Sequence, residues 1–191
     1  MHLMPNVTEK TGRSTRPIDL PSRLLQDRII YLGDQIDPDV ANVIIMQMLW
    51  LNADDPESPI KLYVNSPGGS VYDGLAIKDV MDSISAKVDT VGIGICASMG
   101  AYLLAAGTGE RSATKNCRIM LHSVSSGYSG GYHDLEVDFN ETKFLQDKMM
   151  QDISDFTGGF LSPKDVKGST ARDNYMSSQE ALNMKLVDRV I

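Results

Sequence analysis

The run VDTVGIGICAS, Val88 to Ser98, alternates bulky Val91, Ile93 and Ile95 with Gly92, Gly94 and Cys96. A period of two is the mark of a β-strand, and the small residues leave one face open to close backbone approach. It runs directly into SMGAYLLAA, Ser98 to Ala106, an apolar segment that reads as a buried helix. Outward from this pair, similar apolar runs begin at Arg28 (RIIYLG), Ile60 (IKLYVNS) and Cys117 (CRIMLH), so the four starts lie 32, 28 and 29 residues apart. A strand-helix-strand unit needs about 30 residues. The spacing therefore predicts an α/β fold, with successive right-handed crossovers building a mainly parallel sheet.

The bulk properties agree. With 191 residues, 42% hydrophobic and 23% charged, the chain is sized for one globular domain with a substantial core. A net charge of −7, with no dense Lys/Arg cluster, argues against nucleic acid or an anionic membrane surface as partner. No apolar run reaches 18 residues, and MHLMPNVTEKTGR lacks the basic-then-apolar order of a signal peptide, so a cytoplasmic location is expected. Cys96 and Cys117 both fall in apolar runs, which suits buried, reduced thiols.

Residues 1–22 carry Pro5, Gly12, Pro17 and Pro21 and are expected to form an arm that resists regular helix, mobile or ordered by a partner, with order beginning near Arg23. Residues 23–191 would then be the single folded domain. After a Gly-rich stretch, Leu135, Phe139, Thr142, Leu145, Met149, Ile153 and Phe156 recur at steps of three and four, predicting the longest helix, ended by Gly158-Gly159. Ser177 with Glu180 reads as a capping box, and VDRVI as a closing strand.

Three histidines limit the choice of a histidine base. His2 lies in the arm and His133 follows the Gly-rich stretch. His122 ends a strand, where open α/β sheets place their ligands; the bland alternative is a structural strand cap. Ser98 stands where strand meets helix, so a nucleophile there would sit beside free N–H groups and the positive end of a helix dipole. The bland alternative, a plain helix cap, is the favoured reading for an arbitrary serine in this place. Asn65-Ser66-Pro67-Gly68-Gly69-Ser70 permits a sharp reversal able to aim backbone N–H groups at a carbonyl oxygen, or is a simple turn with a Ser cap. Gly107 to Ser112 lacks the third glycine of a dinucleotide fingerprint, no P-loop is present, and the Cys and His residues are too scattered for zinc. Neither nucleotide nor metal is expected on this chain.

SPGGS at 66–70, ASMGA at 97–101, RIMLH at 118–122 and RDNYMS at 172–177, in that order, resemble the ClpP family, the proteolytic subunits of the Clp protease. The resemblance runs from about Pro5 to the end. It implies a ClpP-like spiral fold, related to that of crotonases, with a handle helix protruding from about 123–157. It implies a serine endopeptidase with Ser98 as nucleophile, His122 as general base, Asp173 as the orienting carboxylate, and the N–H groups of Gly69 and Met99 as oxyanion hole. It also implies two stacked seven-membered rings, fed with unfolded polypeptide by a AAA+ unfoldase that uses the ATP, with residues 1–22 at the axial pore. Two departures stand out. The family usually continues after the histidine as Gln-Pro-Leu-Gly-Gly, where this chain has Ser123-Val124-Ser125-Ser126-Gly127, and it commonly has an acidic residue where this chain has Ala171. These imply a more labile double ring, or one completed by a second, non-identical ring. The competing readings are a crotonase-like acyl-CoA enzyme and a catalytically silent ring subunit.

Overall fold

The computed structural model describes residues 5–11 and 14–191. The chain opens with β1 (Asn6–Thr11) and β2 (Ser14–Asp19), an antiparallel hairpin, followed by α1 (Leu20–Gln26). Regular structure thus begins ahead of the expected position near Arg23. The Asp19 carboxylate caps α1 by accepting the Ser22 N–H, and Pro21 fits the first turn, where no N–H is needed. His2 lies outside the described residues.

The sheet grows from β3 (Ile29–Leu32), α2 (Pro38–Asp54), β4 (Ile60–Ser66), α3 (Val71–Ser83), β5 (Val88–Ala97), α4 (Met99–Ala105) and β6 (Arg111–Ala113). Then come β7 (Arg118–Leu121), α5 (Tyr132–Phe156), α6 (Pro163–Ser169), β8 (Asn174–Ser177), α7 (Ser178–Asn183) and β9 (Arg189–Val190). The main path is β3-β4-β5-β6-β9, all parallel, as the spacing predicts. β4 buries Ile60, Leu62 and Val64 completely, and α2 turns Ala41, Ile44, Met48 and Leu51 onto the sheet at helical spacing. Each large side chain so buried contributes about 1.5–3 kcal/mol. Cys96 and Cys117 are free and buried, as expected.

The alternation in β5 does not run unbroken. Gly94 adopts φ +57 and is exposed, while Asn65 accepts the Ile95 N–H at 3.1 Å and occupies the space a Cβ on Gly94 would need. This bulge shifts the β4–β5 register and lets β5 change neighbours. Residues 90–92 pair with β6, whereas residues 95–97 pair with β7, itself flanked antiparallel by β8.

The long helix buries apolar side chains through its C-terminal half. Leu145, Met150 and Ile153 are buried, and the buried Tyr102 hydroxyl donates to Asp152 at 2.7 Å. Arg111 donates to the Ala105 and Phe156 carbonyls, holding the ends of α4 and α5, and also pairs with Asp188. Gly158 and Gly159 close α5 in a Schellman motif, with N–H groups on Asp155 and Ser154. The first half, with Val137 and Phe139, is exposed in the single chain. The Ser177–Glu180 capping box forms as predicted.

Candidate active site

Three parallel strands deliver their C-terminal ends to one rim. The turn Pro67-Gly68-Gly69 leaves β4, Ser98 follows β5, and His122 follows β7. Ligands gather at this edge in open α/β sheets. Because β5 pairs with β7 beyond the bulge, the Ser98 N–H donates to the Met120 carbonyl at 2.8 Å, which brings the two strand ends side by side. His122 Nε2 then lies 2.9 Å from Ser98 Oγ.

Ser98 occupies the N-cap position of α4 but does not cap it with its side chain. Its backbone sits at φ 54, ψ −122, a region disfavoured for a residue with a side chain, and its hydroxyl makes no capping bond to α4. The turn that holds it there is crowded by design of the glycine pair. A Cβ on Gly68, at φ +92, would press on the Ala97 carbonyl and on Ser98 itself, and Gly69, at φ +153, lies against Ile36. Parallel bridging to Ile36 fixes the turn, with the Ile36 N–H on the Gly68 carbonyl and the Ser70 N–H on the Ile36 carbonyl. Ser70 caps α3, so the turn does end in the Ser cap weighed for it.

The N–H groups of Gly69 and Met99 have no acceptor among the described residues. Both residues line the same narrow cleft as Ser98 and His122, together with Gln146 and Met149 of α5. Met99 is the first residue of α4, so its N–H is one of those a helix start leaves unpaired.

Asp173 precedes β8, and the register Leu121↔Asn174 continues by one step to set it beside His122. The separation is 4.0 Å from Nδ1 to the carboxylate, beyond hydrogen-bond reach, and the Asp173 side chain is 62% exposed. His133 is on the first turn of α5, exposed and packed edge-on against Tyr132, remote from this rim in the chain's order of elements. No group of three or more His, Cys, Asp or Glu among the described residues is arranged to hold a metal.

Sequence reading missed how the segment after His122 is held. Residues 122–129 have no regular structure, yet the Ser123 hydroxyl donates to the Thr170 carbonyl at 2.9 Å and the Val124 N–H to Gln146 Oε1 at 2.6 Å. The one sequence signal was Thr142 interrupting an otherwise apolar stripe, with Gln146 one turn further on.

A serine held in strained backbone, hydrogen-bonded to a histidine and flanked by two unpaired amide donors, is the equipment of a serine hydrolase. Comparison with known proteins narrows the class. The Clp protease family matches residues 12–191, and the chain belongs to that family. It is 46% identical over 190 residues to ATP-dependent Clp protease proteolytic subunit 1 of Prochlorococcus marinus subsp. pastoris (strain CCMP1986 / NIES-2087 / MED4), covering 99% of this chain and 96% of the relative. Identity is 47% to proteolytic subunit 2 of Synechococcus sp. (strain CC9605) and 48% to proteolytic subunit 1 of Synechococcus sp. (strain CC9902), in each case over 99% of this chain and 95% of the relative.

Proposed function

We propose that this chain is the peptidase component of an ATP-dependent Clp protease, cleaving unfolded polypeptide with Ser98 as nucleophile. The observation that carries it is the 2.9 Å contact between His122 Nε2 and Ser98 Oγ on the strained turn. In the reaction, Oγ attacks the scissile carbonyl carbon while Nε2 takes its proton. The carbonyl oxygen becomes an oxyanion held by the N–H groups of Gly69 and Met99. His122 then returns the proton to the leaving amine, and water, activated by the same imidazole, hydrolyses the acyl-enzyme. Asp173 favours the imidazolium through its charge across the 4.0 Å gap. The cleft beside Ser98 is small, about 60 Å³.

Family membership implies association with a Clp ATPase and oligomerisation. The finer arrangement belongs to this reading. It comprises stacked seven-membered rings, homomeric or completed by a second ClpP-type subunit, working in the cytoplasm with a AAA+ unfoldase that consumes the ATP and with no cofactor held by this chain. The bare apolar first half of α5 supports burial against another subunit. Ala171 offers Arg172 no neighbouring carboxylate, which supports weaker ring pairing.

The test is fluorophosphonate labelling of the assembled protein with the modified peptide mapped by mass spectrometry. Stoichiometric modification of Ser98, absent in Ser98→Ala together with peptide cleavage, is expected. An assembled wild-type protein that stays unlabelled and inactive with a Clp ATPase or a partner ring added would refute the reading.

A further inference from the structure

We propose that Gln146 is a positioning residue for peptide binding, holding the segment after His122 as one wall of the cleft by accepting the Val124 N–H. Residues 122–129 make no ladder with any strand, so side chains must hold them. Three attachments do so: Ser123 to Thr170, Val124 to Gln146, and the Ser126 and Thr142 hydroxyls at 3.1 Å. Only the Val124 bond engages the segment's own backbone, and at 2.6 Å it is the shortest. Thr142 and Gln146 lie four residues apart and therefore on one face of α5, which places this face against the segment.

Gln146 and Val124 also line the cleft that contains Ser98 and His122. Val124 is two residues from the histidine, so its amide governs where the chain turns away from the base and where the cleft wall stands. A partly buried N–H without an acceptor is costly, and the segment would have to move to find water. The need for Gln146 is created by Val124 itself. A proline at this position, as in the Gln-Pro-Leu-Gly-Gly continuation common in the family, has no N–H to satisfy. The two residues thus act as a unit that grips the wall without touching the reacting atoms. The inference rests on the peptidase reading for the meaning of the cleft, but the bond predicts binding, not chemistry.

A double-mutant cycle on the full-length assembled protein tests it, reading the Kd of a fluorescent, unstructured apolar decapeptide by anisotropy in the Ser98→Ala background, and KM and kcat with Ser98 present. Gln146→Leu is expected to weaken Kd and raise KM about tenfold, a change of about 1.4 kcal/mol, with kcat within twofold. Gln146→Glu at pH 8 keeps an accepting oxygen and should stay within about twofold of wild type. In a Val124→Pro background, Gln146→Leu should add less than twofold. Equal effects of Gln146→Leu in both backgrounds, a lowered Tm with unchanged Kd, or no peptide binding by Ser98→Ala would overturn the proposal. If Gln146→Leu alone fails to assemble, assembly and binding by Val124→Pro/Gln146→Leu supports the coupling, and failure of that double variant overturns it. A wild type that binds peptide but neither cleaves nor labels refutes the peptidase reading while leaving the cycle interpretable.

Discussion

Replacing Gly69 by alanine puts a methyl group on a residue at φ +153 whose Cβ would overlap the Ile36 carbonyl oxygen and stand 2.8 Å from that residue's carbonyl carbon and amide nitrogen. Non-bonded carbons settle at about 3.5 Å, so the carbon contact alone asks the turn to yield by about 0.7 Å, and the closer oxygen asks for more. The turn can yield only away from Ile36, which stretches the 2.9 Å bond from the Ser70 N–H to that carbonyl and displaces the Gly69 N–H with it. Loss of one oxyanion donor lowers kcat by about 10²–10³, or about 2.7–4 kcal/mol, with KM little changed. Steady-state hydrolysis of a fluorogenic peptide by Gly69→Ala reads the effect, with sizing and circular dichroism to verify assembly and fold. Fluorophosphonate labelling should slow in parallel, since its phosphoryl oxygen occupies the same hole. A folded, assembled variant with kcat within threefold of wild type would refute the assignment of the Gly69 amide.

Asp173→Asn removes a charge 4.0 Å from His122 Nδ1. Such a pair is worth about 1 kcal/mol in water and about 4 kcal/mol near a protein surface, so kcat should fall between fivefold and about a thousandfold, measured on the same peptide. The Arg111 guanidinium bonded to Asp188 holds that carboxyl below its ordinary value. Because the folded state lowers this pKa, the stabilisation is present above the ordinary carboxylate value and disappears as pH falls through the lowered one. Asp188→Asn should therefore cost about 1 kcal/mol at pH 7, discounted for the half-exposed carboxylate, and the difference from wild type in urea unfolding should shrink as pH falls below the ordinary carboxylate value. On sizing columns the wild-type double ring should dissociate at moderate salt, and Ala171→Glu, which gives Arg172 a carboxylate neighbour, should raise the salt required.

The parallel sheet was legible because β3, β4, β5 and β7 each carry four or more apolar-patterned residues close to the spacing of a crossover unit. β6 was not, since the three residues Arg111–Ala113 are too few for any period to register. The hairpin of β1 and β2 was hidden by Pro17, which reads against a strand but is tolerated opposite Thr8 in a two-stranded ribbon that is edge on both sides. At the site, spacing offered Ser98 and His122 as candidates and the family resemblance added Asp173; the structure brings the first two into contact. The conformation of Ser98 and the distance to Asp173 depend on the bulge at Gly94 and on the β7–β8 register, both tertiary effects with no local sequence signature. Gln146 was overlooked because its partner is a backbone amide distant in sequence, visible only once α5 packs.

The bulge in β5 has a mechanical corollary. The Ser98–His122 contact is set by the pairing of β5 with β7, whereas the spacing between His122 and Asp173 is set by the pairing of β7 with β8. These are two separate seams in the sheet, one parallel and one antiparallel, and β8 is tied to the rest of the sheet only through β7. Movement along the second seam would change the His122–Asp173 spacing while the Ser98–His122 contact stays in place, and the core resists it, because β8 buries Met176 there.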